Sequence, residues 1–205
     1  MKIRFLLSIL LALSTFAGAA HSESRSNDDL LAQLAARSQA IQSLEGHFEQ
    51  QKTIAVLPVP LNSNGRFSFE QGKEVVWETL VPVQSSLKLT PGGISFADVN
   101  GEQKLPAQAR QAGAEIVAKI FMGVIAGELD SLQDYFTLSA TGTGDSWQIQ
   151  LVPRSPNLSA YITRIELRGG EFTEQLDIIE ANGDKTHIAF TTDKVVRKPA
   201  VQAAP

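Results

Sequence analysis

Alternating apolar and polar residues recur along most of the chain and predict short strands. Phe67 and Phe69 alternate with polar neighbours, and so do Leu87 and Leu89. Turn signals separate these runs, for example Pro91-Gly92-Gly93. A period of two means that one face of each strand is buried and the other is wet, which is typical of antiparallel sheet.

About ten such strands are expected, the last ones after Asn182-Gly183-Asp184, together with two helices. A sheet of this size with one apolar face must curl on itself or pack on a second sheet. The pattern therefore predicts a mainly β protein with α elements. We expect an unclosed antiparallel β-barrel, or strongly curved sheet, with helices covering its apolar concave face.

The first helix is expected to begin at the capping residues Asn27-Asp28-Asp29. Gly46 is its expected end. Its apolar stripe consists of Leu30, Leu31, Leu34, Ile41 and Leu44.

A second helix is expected over Gln108–Glu128, where the apolar period becomes helical. Its apolar face is wide, so the helix should lie against an apolar surface.

The beginning of the chain has the pattern of a secretory signal peptide. Lys2 and Arg4 precede an apolar run to Phe16, and Ala17-Gly18-Ala19 resembles a cleavage site. We expect residues 1–20 to be the signal, residues 21–194 to form a single domain and residues 195–205 to be a disordered tail.

Charge and cysteine content narrow the possible functions. Without Lys2 and Arg4 the chain has 16 basic and 22 acidic residues, a net charge of −6. No basic cluster is present, so nucleic acid is not an expected partner. The absence of cysteine excludes disulfides, thiol chemistry and lipid attachment at a cysteine.

Reactive groups give little support to an enzyme. His21, His47 and His187 are far apart in sequence and show no metal-ligand spacing. No Gly-x-Ser-x-Gly elbow is present. We therefore expect no catalytic residues, no metal and no cofactor.

The order of several motifs resembles the periplasmic outer-membrane lipoprotein carrier family, the LolA family. The motifs are Phe48-Glu49-Gln50, then Gly65-Arg66-Phe67-Ser68-Phe69, then Trp77-Glu78 and Pro82, then Trp147–Arg154, Ile162–Leu167 and Asn182–Phe190. The family often has a basic residue followed by proline after the Phe-rich strand, and its arginine bonds the lid backbone. Gln71 and Gly72 stand there in this chain.

The resemblance implies a monomeric periplasmic carrier that shelters lipoprotein acyl chains in an apolar cavity and moves them from inner to outer membrane. It implies lipoprotein or other acylated lipid cargo, an inner-membrane release complex and an outer-membrane acceptor. The expected lid residues are Ile116, Ile120, Phe121 and Val124. The expected cavity wall consists of Phe48, Phe67, Phe69, Trp77, Leu87, Leu89, Ile94, Phe96, Ile149, Leu151, Ile165, Leu167, Leu176 and Ile178.

Other functions remain open at the level of sequence. The same fold could carry a different lipid or acylated product, or act as a non-carrier interaction module with a packed core. A lipid-modifying hydrolase is the third possibility.

Overall fold

The computed structural model describes residues 19–98, 101–104, 123 and 129–199. Within this part, eleven antiparallel strands form a single sheet. The strands are β1 (Ile41–Thr53), β2 (Leu61–Glu70), β3 (Glu74–Val81), β4 (Ser85–Thr90), β5 (Gly93–Asp98), β6 (Gly101–Lys104), β7 (Phe136–Thr143), β8 (Ser146–Pro153), β9 (Ile162–Gly169), β10 (Thr173–Glu180) and β11 (Lys185–Arg197).

The order of strands across the sheet is β6-β5-β4-β3-β2-β1-β11-β10-β9-β8-β7. The first and last strands along the chain are therefore paired in its middle, and β6 and β7 are its two edges. The expected class, an unclosed antiparallel sheet with helices, is confirmed.

Helix α1 spans Ala19–Gln39 and corrects the expectation for the first helix. Asn27-Asp28-Asp29 lies inside the helix and does not cap its start. The helix also ends before Ile41, and both Ile41 and Leu44 belong to β1.

A break in register explains why these two residues matched a helical period. The pairing of β1 with β11 shifts between Ile41 and Ser43, and again between Glu45 and Gly46. A bulge puts residues of odd spacing on one face of a strand, so Ile41 and Leu44 are both buried. Gly46 is a residue of β1 and not a helix end.

Two short helices complete the described elements. Helix α2 spans Leu129–Gln133 and packs with α1 and β7. Helix α3 spans Pro156–Ser159 between β8 and β9, and the Ser155 hydroxyl accepts the Leu158 N–H at its start.

Two expected segments lie outside the described structure or differ from it. The helix expected over Gln108–Glu128 lies outside the described residues, apart from Gly123. The disordered tail was expected from residue 195, but β11 continues to Arg197, with Val195 opposite Leu44. The strand therefore extends beyond the expected domain boundary at residue 194.

Reciprocal glycine–phenylalanine pairs hold β1 against β2. Gly46 lies opposite Phe67, and Phe48 lies opposite Gly65. A Cβ atom on Gly46 would meet the Phe67 ring at 2.6 Å, and one on Gly65 would meet the Phe48 ring at 2.8 Å. Each ring thus occupies the space above a glycine on the neighbouring strand.

Candidate functional site

The face of the sheet that carries Phe48 is the candidate site, and we call it the concave face. Directly opposed residues of neighbouring strands share a face. Phe67 is opposite Trp77, and Trp77 is opposite Leu87. The register therefore carries the same face from β2 to β4.

The second half of the sheet continues this face. Ile149 is opposite Leu167, and Leu167 is opposite Leu176. All fourteen residues of the expected cavity wall consequently lie on the concave face.

Burial divides the fourteen residues into two groups. Leu87, Ile94, Phe96 and Ile178 are half-buried. Three of these lie on β4 and β5, so this side of the concave face is less covered. The buried residues are Phe48, Phe67, Phe69, Trp77, Leu89, Ile149, Leu151, Ile165, Leu167 and Leu176.

An aromatic cluster occupies the middle of the concave face. The Phe48 and Trp77 rings are stacked with their centroids 3.6 Å apart. Phe190 makes edge contacts with Phe67 at 5.7 Å and with Trp77 at 6.1 Å. These contacts join β1, β2, β3 and β11 through side chains, in addition to the backbone ladder.

Helix α1 covers another part of the concave face and leaves a small cavity beneath it. Leu30, Leu31 and Leu34 of the helix are buried. The cavity has a volume of about 50 Å³. Its lining includes Leu34, Ile41, Leu44, Phe67, Leu129, Trp147, Ile149, Leu167, Phe172 and Phe190.

Arg37 fastens the end of α1 to the sheet. Its Nη1 donates to the carbonyl oxygen of Gly144 at 2.6 Å and to that of Gly170 at 3.1 Å. These glycines lie in the β7–β8 and β9–β10 turns. The Trp147 indole N–H donates to the same Gly170 oxygen at 2.8 Å, so a cavity-lining ring and the helix share one acceptor.

Sequence reasoning found only part of this cavity. Phe67, Ile149 and Leu167 of the expected wall line it. Trp147 and Phe190 were assigned to strands but not to the wall, although alternation with Ile149 and Ile188 puts them on the same face. Arg37 was missed altogether. The expected lid residues, Ile116, Ile120, Phe121 and Val124, lie outside the described residues.

The turn at Gln71-Gly72, which differs from the family pattern, forms hydrogen bonds with nearby residues. Gln71 donates its N–H to the Gln42 carbonyl at 2.9 Å, and Gly72 has a positive φ of 74°. Lys73 is exposed and pairs with Glu70, and this hydrogen bond raises the pKa of Lys73. The cation of this turn therefore pairs within the turn, with Glu70.

The two histidines of the described strands each pair with an aspartate. Groups of three His, Asp or Glu residues that could hold a metal are absent from this part of the chain. His47 pairs with Asp193 at 3.1 Å and His187 with Asp177 at 2.7 Å. Both pairs lie on the face opposite the cavity. Among the described helices, none is both long and apolar enough to span a membrane.

A family model agrees with the motif order. The model described as "Outer membrane lipoprotein carrier protein LolA" matches residues 39–203. None of the curated proteins matches the chain by sequence.

Several solved structures resemble this chain at low identity. A crystal structure of MucB matches with a TM-score of 0.50 and 12% identity, covering 88% of this chain and 63% of that chain. A chain of the Pseudomonas aeruginosa MucA/MucB complex gives 0.47 and 13%, covering 86% and 60%. A LolA superfamily protein from Nitrosomonas europaea gives 0.41 and 8%, covering 83% and 94%. This chain thus spans about three fifths of the MucB chains that it matches.

Proposed function

Because this chain belongs to the outer membrane lipoprotein carrier protein LolA family, we propose that it is a periplasmic carrier. It shelters the acyl chains of lipoproteins in the space between the concave face and its helical cover, and moves them from the inner to the outer membrane. The observation that carries the proposal is the continuous apolar concave face with an arginine-fastened helix over it.

The cavity that the described residues form beneath α1 is small. A volume of about 50 Å³ cannot hold a long acyl chain, because each methylene needs space comparable to that of a water molecule. Binding of an acyl chain at this cavity therefore requires α1 to move. The buried leucines of α1 are then exchanged for methylenes of the cargo.

The free-energy cost of exposing these leucines is similar in size to the gain from burying an acyl chain of the cargo. Exposing Leu30, Leu31 and Leu34 costs about 1.5–3 kcal/mol each, or about 5–9 kcal/mol together. An acyl chain of about fourteen carbons regains roughly 11 kcal/mol at about 0.8 kcal/mol per methylene. A difference of a few kcal/mol suits a carrier that must also release its cargo.

The chain contributes binding and no chemical step in this proposal. It acts without a metal or cofactor and is not an enzyme. Transfer proceeds down an affinity difference between a release complex in the inner membrane and an acceptor in the outer membrane. The competing functions are a carrier of another acylated lipid and an interaction module with a packed core.

A charge on the concave face tests the proposal. Leu87 is half-buried on β4, so Leu87→Glu should be tolerated by the fold while opposing entry of an acyl chain. We expect uptake of a fluorescent fatty acid to fall at least about tenfold. Thr90→Glu is the matched control, because Thr90 is exposed on the same strand and faces the other way.

Native mass spectrometry of the periplasmic protein identifies the cargo. Co-purified lipoprotein supports the proposed role, and another acylated lipid supports the first competing function. Absence of any lipid, together with no fatty-acid uptake, would refute the carrier and favour the interaction module.

A further inference from the structure

Exposed aliphatic side chains gather at one end of the sheet. Neighbouring strands are antiparallel, so the β1–β2 and β3–β4 connections lie at the same end. Exposure reaches 87% at Val56, 65% at Val59 and 61% at Val83. We call this surface the apolar tip, and it consists of Val56, Leu57, Val59, Leu61, Leu80, Val81 and Val83.

Strand register places the two connections beside each other. Val81 is paired with Asn64 of β2. Leu61 lies three residues from Asn64 on the same strand, which is about 10 Å. The seven side chains therefore form one patch and not isolated exposed residues, which would need no explanation.

Charge is absent from the segments that form the tip. Residues 54–65 and 79–87 contain no Asp, Glu, Lys or Arg, although 20% of the chain is charged. Just below the tip, Lys52 Nζ pairs with Glu180 at 2.7 Å. The protein has a net charge of −4. A charge-free apolar surface on such a protein is typical of a site that a partner or a membrane covers.

The composition of the tip favours lipid over a protein partner. Protein hot spots are rich in Trp, Tyr and Arg, and Leu and Val are under-represented in them. The tip is instead formed by Leu and Val, together with the prolines of its loops. Four of its seven side chains stand on loops and the other three on the adjoining strand ends, so they suit a deformable partner that needs no matching pocket.

Most residues of the β1–β2 loop have no free backbone N–H group, which suits an environment without water. The Ala55 N–H donates to the buried Asp184 carboxylate at 2.9 Å, and the Leu57 N–H donates to the Ile54 carbonyl at 2.9 Å. Pro58 and Pro60 have no N–H. Four of the six residues from 55 to 60 therefore bring no free donor into lipid, where each free donor is costly.

We propose that the apolar tip inserts into the headgroup and upper acyl region of a lipid bilayer, and that it prefers a zwitterionic surface. The tip has no Lys or Arg to recognise anionic lipid. Tyr161, 74% exposed at the start of β9, lies at the same end of the sheet and has the amphipathic character of interfacial residues. The proposal does not depend on cargo in the concave cavity.

The absence of cysteine allows a site-specific test. Val56→Cys, labelled with an environment-sensitive dye, is titrated with phosphatidylcholine vesicles. We expect a blue shift that persists at high salt, because screening does not weaken apolar insertion. Val196→Cys is the matched control, since Val196 is 38% exposed at the opposite end of the sheet. It should show no shift.

Loss of the aliphatic side chains should abolish vesicle binding of the otherwise native protein. For the triple variant Val56→Ser, Leu57→Ser, Val59→Ser we expect the partition coefficient to fall at least about a hundredfold. Fatty-acid uptake without vesicles should be unchanged, which separates this proposal from the carrier function.

Three results would overturn the proposal: binding by the triple variant, a shift that requires anionic lipid, or a concentration-dependent shift without vesicles. The last would indicate self-association of the tip.

Discussion

Replacing Arg37 should release α1 from the sheet and shift the proposed carrier toward its open state. Arg37 Nη1 donates hydrogen bonds to the carbonyl oxygens of both Gly144 and Gly170. Arg37→Met keeps a long aliphatic stem for packing but removes the donors. The change therefore tests the hydrogen bonds more than the contact area.

The expected magnitude follows from the acceptors that remain. The Gly170 oxygen keeps the Trp147 indole as a donor, whereas the Gly144 oxygen loses its bond to Arg37. A hydrogen bond to a charged group contributes about 1.5–3 kcal/mol. Taking about 2 kcal/mol, the ratio of open to closed carrier should rise roughly thirtyfold.

Two measurements report this shift. Amide exchange of the α1 residues 30–37 should accelerate by that factor. The apparent Kd for a fluorescent fatty acid should fall by up to the same factor, because it is inversely proportional to the fraction of carrier that is open.

Asp145→Asn provides the control for charge alone. Asp145 lies 3.7 Å from the Arg37 guanidinium and its side chain is 99% exposed, so the ion pair contributes little. Its loss should leave both measurements nearly unchanged. Equal effects of Arg37→Met and Asp145→Asn, or no effect of Arg37→Met on α1 exchange, would refute the fastening role.

Two further predictions concern stability, measured by urea unfolding. Gly65→Ala should cost about 3 kcal/mol, because the added Cβ would lie 1.8 Å from the Glu78 carbonyl oxygen. Gly92→Ala, whose Cβ would come no closer than 3.7 Å to Thr90 Oγ1, should stay within about 0.5 kcal/mol; similar losses would contradict the packing argument. Asp184→Ala should cost about 1–3 kcal/mol, since it deprives the Ala55 N–H of its acceptor. Asp193→Ala should be almost neutral because Asp193 pairs with His47 at the surface.

Much of the sheet could be predicted because strand alternation depends on local sequence. Phe67, Phe69, Leu87 and Leu89 face the core because one buried face imposes a period of two. The motif order also predicted the family, and the match over residues 39–203 confirms it.

The errors arose where one pattern has two physical meanings. Ile41 and Leu44 have helical spacing, yet a bulge gives the same spacing in a strand. Gly46 lies within a strand and does not end a helix. Its lack of a Cβ leaves room for the Phe67 ring. Arg37 could not be predicted because its acceptors are backbone carbonyls more than a hundred residues away. Every residue type has a backbone carbonyl, so the residue type does not reveal which carbonyl accepts a hydrogen bond.

The pairing of the first strand with the last has a consequence for how this chain folds. Ile41 and Arg197 are partners across the middle of the sheet, so β1 stays an open edge until the C-terminal strand has arrived. Contacts this distant along the chain form slowly. Both ends of the described chain are therefore needed to complete the middle of the sheet, and a chain without β11 would leave β1 and β10 as two unpaired edges.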